Sequence, residues 1–171
     1  SGIAASGGLL WVSHGYGTLD STGMVSVVDP VSWAVTDTVQ TAQNAFEASG
    51  VGAGEVHVLT TSYQGDGAVF LLDAYTGEVR AQVDLGATPS ISARPREWAC
   101  GWLLAMGSAG LLVYDETGVS ETMEVGIPAT DAVLHGGLVY VASFAADAVL
   151  VCDPAPGEAV ATLPSGSGPI R

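Results

Sequence analysis

Aromatics, carboxylates and amides gather in the polar stretches that separate the apolar runs of this chain. One group is His14, Tyr16 and Asp20, a second is Tyr63, Gln64 and Asp66, and a third is Phe144 and Asp147. Flat apolar surface beside a few orienting polar groups, carried on variable loops over a rigid scaffold, suits a small-molecule or peptide site. These eight residues are the candidate binding set; without a ligand they read as solvated loop positions. Asp29, Asp73, Asp115 and Asp153 form another set, each ending an apolar run where Gly, Pro, Ser or Thr follows. Four carboxylates could ligate a cation. An aspartate entering a tight turn, however, accepts hydrogen bonds from N–H groups two residues on, and that structural use is the one adopted.

Covalent chemistry finds no support in the motifs. There is no GxSxG elbow, no HExxH, no phosphate-binding Walker loop and no GxGxxG after a strand. His14, His57 and His135 stand in different settings with no acid at a telling spacing. His57 lies in a strand-like run and His135 beside a Gly-Gly turn, so both read as structural. The stretch from Asp20 to Gly23 lacks the alternating carboxylates and distal glutamate of a calcium loop. Cys100 and Cys152 fall in strand-like segments with no CxxC or Cys/His partner, and read as buried free thiols, which behave as small hydrophobes. The expectation is a non-catalytic protein with no metal and no cofactor.

The elements that must carry these residues repeat. Four segments each run from an apolar strand through a polar loop to a second apolar strand ending in aspartate: LLWVSHGYGTLDSTGMVSVVD, VHVLTTSYQGDGAVFLLD, WLLAMGSAGLLVYD and LVYVASFAADAVLVCD. After each aspartate come a turn and a third strand; the aspartates stand 44, 42 and 38 residues apart, and the 171 residues divide into four units of about 43. A shorter strand precedes each segment, with candidates Ile3 to Ala5, Phe46 to Ser49, Ile91 to Arg94 and Asp131 to Leu134. Ala4, Ala48, Ala93 and Ala132 there suit an innermost strand, where backbones crowd around an axis. Four strands per unit at this period predict an all-β fold, a β-propeller of four-stranded antiparallel blades, over a β-sandwich. The blades span approximately 1–44, 45–88, 89–128 and 129–171, in one propeller or propeller-segment domain.

In such a blade the connection between the second and third strands shares a rim with the connection to the next blade. That rim would hold the eight candidate residues, the third blade offering only the short Gly107 to Gly110 link. The opposite rim would hold Trp33 and Tyr75. Trp11, Phe70, Tyr114 and Tyr140 lie within strand runs and are expected to pack between blades. Trp98 and Trp102 belong to an irregular unit whose register the pattern does not fix. Glu47, Arg94 and Asp131 are the charges in the inner segments.

The segment LVYVASFAADAVLVCDPAPGEAVATLPSGSGP resembles a YVTN-type propeller repeat, and VFLLDAYTGEVRAQVDL is similar to the repeat of pyrroloquinoline-quinone-type propellers. The resemblance covers nearly the whole chain. It implies the fold strongly, and implies function only as a choice: such repeats serve surface-layer proteins, secreted binding proteins and periplasmic enzymes. The alternative to a binding scaffold is therefore part of an enzymatic propeller, a lyase, lactonase or quinoprotein relative. An extracellular, cell-surface or periplasmic setting is the matching expectation.

Eighteen acidic residues against four arginines give a net charge of -14 over 171 residues, which repels phosphate backbones and anionic lipid. Nucleic acid and membrane are not expected partners. No apolar run approaches the 18 residues of a membrane span, and a chain without a signal peptide is the expectation. The stretches at Gly2 to Ala4 and Gly168 to Arg171 read as two halves of one inner-strand lead-in. The partner expected is accordingly a second copy, two chains forming one eight-blade ring.

Overall fold

Alternating apolar and polar residues over five to eight positions, broken by Gly, Pro and Asp turns, fold here as strands. The computed structural model describes residues 2–15, 23–41, 44–52, 54–61, 66–99, 101–154 and 159–166, and every regular element among them is a strand. The first sheet contains β1 (Ile3–Ser6), β2 (Leu9–His14), β3 (Gly23–Asp29) and β4 (Ala34–Thr41). The second contains β5 (Asn44–Val51), β6 (Glu55–Thr61), β7 (Ala68–Asp73) and β8 (Val79–Asp84). These two sheets lie in one compact unit, 1–88. A second unit, 89–171, holds β9 (Arg96–Trp98), β10 (Gly101–Ala105), β11 (Leu111–Asp115) and β12 (Gly118–Met123), then β13 (Asp131–His135), β14 (Leu138–Ser143), β15 (Ala148–Cys152) and β16 (Ala159–Pro164). Each sheet is antiparallel with its strands in chain order, which is the blade of a propeller.

Register makes the repeat tighter than the aspartate spacing alone. In every blade the pairing of the third strand with the fourth slips by one residue immediately before the aspartate, at Val27/Val28, Leu71/Leu72, Val113/Tyr114 and Val151/Cys152. A bulge at that point bends the outer strand and increases its twist. Within the first unit, the β1–β4 face bearing Trp11, Val25 and Val27 buries against Ala48, Val56, Val58, Phe70 and Leu72 of the second sheet. Phe70 and Tyr114 are buried, whereas Tyr140 is half-buried.

The third inner strand departs from expectation. Ile91 to Arg94 is not a strand; β9 begins at Arg96. Ile91 and Ser92 form a turn in which the Ala93 N–H donates to the Ser90 carbonyl. Pro95 supplies no amide donor, so ladder pairing starts only beyond it. Ala93 is buried, but in the lead-in rather than in the strand. The inner strand therefore carries Arg96 and Glu97, not Arg94. The register left open by the sequence is set by Trp98 opposite Gly101 and Trp102 opposite Tyr114, whose rings lie 5.6 Å apart. Cys152 is a buried thiol, its pKa pushed up by burial; Cys100 lies outside the described residues.

Candidate functional site

The rim formed by the second-to-third-strand loops is held by backbone hydrogen bonds. In the second unit, Gly107 and Ala129 exchange both bonds, Gly107 N–H to Ala129 O at 3.0 Å and Ala129 N–H to Gly107 O at 2.8 Å. The short β10–β11 link is thereby fixed to the connection between the third and fourth blades. On that same connection, the Thr130 hydroxyl accepts the Phe144 N–H at 3.0 Å, tying in the β14–β15 hairpin. Ser143 Oγ accepts the Ala146 N–H, and the Asp147 carbonyl accepts the Ser165 N–H at 3.0 Å. In the first unit, Gly67 exchanges bonds with Leu85 and Ala87, fixing Asp66's neighbour to the chain leaving β8.

Between these fixed loops of the third blade lies a cleft of about 390 Å³, lined by Ser108, Ala109, Gly110, Glu124, Gly126 and Ile127 among others. Gly110 and Gly126, both at positive φ and without side chains, put bare main chain in its wall. A side chain on Gly110 would collide with the Met123 carbonyl. Exposed main chain, the Glu124 carboxylate and the aliphatic Val125 and Ile127 suit an extended, partly apolar ligand. The loop of this blade carries no aromatic, so residue type does not mark it. The available signal was its shortness, four residues facing a longer connection.

Of the eight candidate residues, Tyr16, Asp20, Tyr63 and Gln64 lie outside the described residues. Asp66 and Phe144 are exposed on the loops. Asp147 is exposed and adopts φ 46°, a left-handed turn conformation that aspartate tolerates better than most residues. His14 ends β2, where its Nε2 lies 2.8 Å from Ser26 Oγ on the next strand. This contact lies on the face of the first sheet.

On the opposite rim the aspartates close the hairpins. Asp29 accepts the Val31 N–H at 2.8 Å and the Ser32 hydroxyl, and these bonds hold its pKa below the carboxylate range. Asp73 accepts the N–H groups of Tyr75 and Thr76 and also meets Arg80, lowering its pKa to about 2. Asp115 accepts the Thr117 hydroxyl and N–H, with the same direction of shift. Trp33 and Tyr75 are exposed there, Trp33 at φ 57°. Inner strands carry the remaining charges: Glu47 is buried in β5, and Arg96 reaches from β9 to Asp131 of β13 at 3.2 Å. Among the described residues there is no cluster of three or more His, Cys, Asp or Glu able to hold a metal ion.

No family model and no curated protein matches the chain. Solved structures do. The β-propeller domain of Cps50 (Swd1) from Myceliophthora thermophila matches with a TM-score of 0.71 at 15% identity over 97% of this chain and 55% of that one. BamB from Moraxella catarrhalis gives 0.65 at 16% identity over 94% and 52%, and glutaminyl cyclase from Myxococcus xanthus 0.57 at 17% over 96% and 70%. The chain thus spans about half the length of the first two and under three quarters of the third. Identity this low speaks for fold alone, and the fold that the likeness and the four repeated sheets establish is the β-propeller.

Proposed function

We propose that the chain is a non-catalytic binding and interaction scaffold whose loop rim takes a small molecule or a peptide. The observation that carries this reading is the 390 Å³ cleft between the Gly107–Gly110 link and the 124–130 connection, walled by hydrogen-bonded loops and flanked by the exposed Phe144 hairpin. Rigid walls lower the ordering cost that a ligand must overcome. A second copy completing an eight-blade ring is the other partner on this reading. The YVTN-type or pyrroloquinoline-quinone-type identity of the repeats and a secreted, cell-surface or periplasmic setting belong to the same proposal.

The test is an amide-resolved NMR screen of fragments and short peptides, repeated with Ser108→Trp, which fills the cleft, and with Phe144→Ala. Hits should shift the amides of 107–110 and 124–130. Ser108→Trp should weaken them by about tenfold or more while leaving the thermal melt in place. Hits mapping to the Trp33 and Tyr75 hairpins would overturn the assignment. Ligands perturbing the buried Asp131 carboxylate of β13 instead would support the enzymatic alternative.

A further inference from the structure

The four blades do not carry the ladder between their third and fourth strands to the same length. Gly23, Gly67, Ala109 and Asp147 each stand six residues before their blade's aspartate, and by register Thr41, Leu85, Val125 and Ser165 stand opposite them. Gly23 pairs with Thr41 inside the first sheet. In the second and fourth blades the Leu85 N–H donates to the Gly67 carbonyl at 2.9 Å and the Ser165 N–H to the Asp147 carbonyl at 3.0 Å. In the third blade pairing ends two positions earlier, at Leu111 opposite Met123. The link before β11 bonds to itself instead. Ala109 donates its N–H to the Met106 carbonyl and Gly110 to that of Gly107, while the Gly110 carbonyl accepts the Met106 N–H. Gly107 and Gly110 permit this turn by adopting φ of 58° and 83°.

Two main-chain groups lose their partners by this. In the second blade Gly67 accepts the Leu85 N–H and donates its own N–H to the Ala87 carbonyl at 3.0 Å, with Gly86 between them. Gly126 adopts the conformation of Gly86, φ 73° against 65°. Yet among the described residues nothing accepts the Val125 N–H or donates to the Ile127 carbonyl. Val125, Gly126 and Ile127 line the 390 Å³ cleft, so the interrupted ladder and the hollow coincide. Main-chain groups removed from a ladder need another partner. The lining also has one ionisable residue, the exposed Glu124, and none of the four arginines. On a chain of net charge -14 that lining favours a cation.

We propose that the cleft takes an extended basic peptide, one residue of which fills the place that Gly67 occupies in the second blade. Its carbonyl accepts the Val125 N–H and its N–H donates to the Ile127 carbonyl. An adjacent lysine or arginine lays its aliphatic stem over Ile127 and brings its charge to Glu124. Main-chain bonds of this kind supply affinity, and the carboxylate supplies selectivity. Every residue used lies between 106 and 129, within one compact unit. The inference rests on the rim reading of the proposed function and narrows its ligand to one chemical class.

Amide-resolved NMR titration of the full chain tests it with three capped pentapeptides. The first alternates valine with lysine, the second replaces lysine by glutamine, and the third is the lysine peptide with its amide nitrogens methylated. At millimolar concentration the lysine peptide should shift the amides of 108–110 and 124–127, with the Val125 amide proton moving downfield and exchanging more slowly with solvent. It should bind about two- to fivefold more tightly than the glutamine peptide, as expected of an exposed ion pair. Glu124→Gln should abolish that preference and leave the thermal melt in place. Methylation, which removes the donor to the Ile127 carbonyl, should weaken binding by about fivefold or more. A lysine peptide that leaves the Val125 amide unmoved overturns the inference, as does a glutamine or methylated peptide that binds equally well. Fragments that still shift 107–110 and 124–130 in that case would keep the cleft as a binding site and strike only the peptide class; no hit of any kind there would strike both.

Discussion

His57 in β6 occupies the register position that Trp11 holds in β2: each faces the residue two before its blade's aspartate, Leu71 and Val27. The same position is Leu103 in the third blade and Tyr140 in the fourth. An imidazole has been placed where the other blades use a large apolar or aromatic side chain, and it is fully buried.

Burial pushes the His57 pKa from 6.5 down to about 3, outweighing the nearby Glu55 carboxylate at 3.4 Å. The unfolded chain therefore binds a proton that the folded chain refuses between these two values. Stability should be constant with respect to this group above pH 6.5 and fall as pH drops from 6.5 toward 3. His57→Leu, which copies the third blade's residue, should flatten that part of the profile. Equilibrium unfolding in urea at pH 7.5, 6, 5 and 4 measures it; identical slopes in the two proteins would refute the buried-histidine account.

Asp73 receives hydrogen bonds from two backbone N–H groups and from Arg80. Its lowered pKa means that the turn is favoured above the ordinary carboxylate pKa near 3.8 and loses that support as pH falls toward about 2. Asp73→Ala should lower the melting midpoint by a few degrees, Asp73→Asn by less because one acceptor survives, and neither should alter ligand binding at the far rim. A melt unchanged by Asp73→Ala would remove the structural assignment.

Gly110 has φ 83° and sits against the Met123 carbonyl, so alanine meets both backbone strain and a clash. Gly126, with φ 73° and open space around it, meets only the strain. Gly110→Ala should therefore cost about 1–3 kcal/mol and more than Gly126→Ala does. Equal losses in a denaturant titration would show that the Gly107–Gly110 link relaxes freely and does not form a rigid wall of the cleft.

Much of the fold was legible because turn chemistry and strand periodicity agree in every repeat: Asp29, Asp73, Asp115 and Asp153 mark the same strand end four times. The third inner strand was misplaced because Ile91 to Arg94 has strand composition, while the deciding feature, the missing N–H of Pro95, acts through a ladder visible only in three dimensions. The recurring bulge before each aspartate leaves no compositional trace. At the rim, aromatics and carboxylates such as Phe144 and Asp66 are visible in the sequence, whereas the cleft beside Ser108 and Gly126 is made by the space a short loop leaves and has no residue-type signature. The contact between His14 at the end of β2 and Ser26 depends on the pairing of β2 with β3, which the residue types alone do not display.

Arg96 and Asp131 join the inner strands of the third and fourth blades, and the two partners differ sharply in environment. The Arg96 side chain is 38% exposed, whereas the Asp131 side chain is 9% exposed and also accepts the Ala132 N–H. Solvent screens the guanidinium's part of the attraction, which keeps the pair well short of a fully buried ion pair. Removing the arginine still leaves a carboxylate with little access to water. Arg96→Met should thus destabilise by about 1–2 kcal/mol, and adding Asp131→Asn should restore part of the loss, because the amide oxygen can still accept the Ala132 N–H without carrying charge. A double-mutant cycle in denaturant supplies the coupling, and additive losses would mean that solvent already satisfies Asp131 and that β9 and β13 are held together by packing alone.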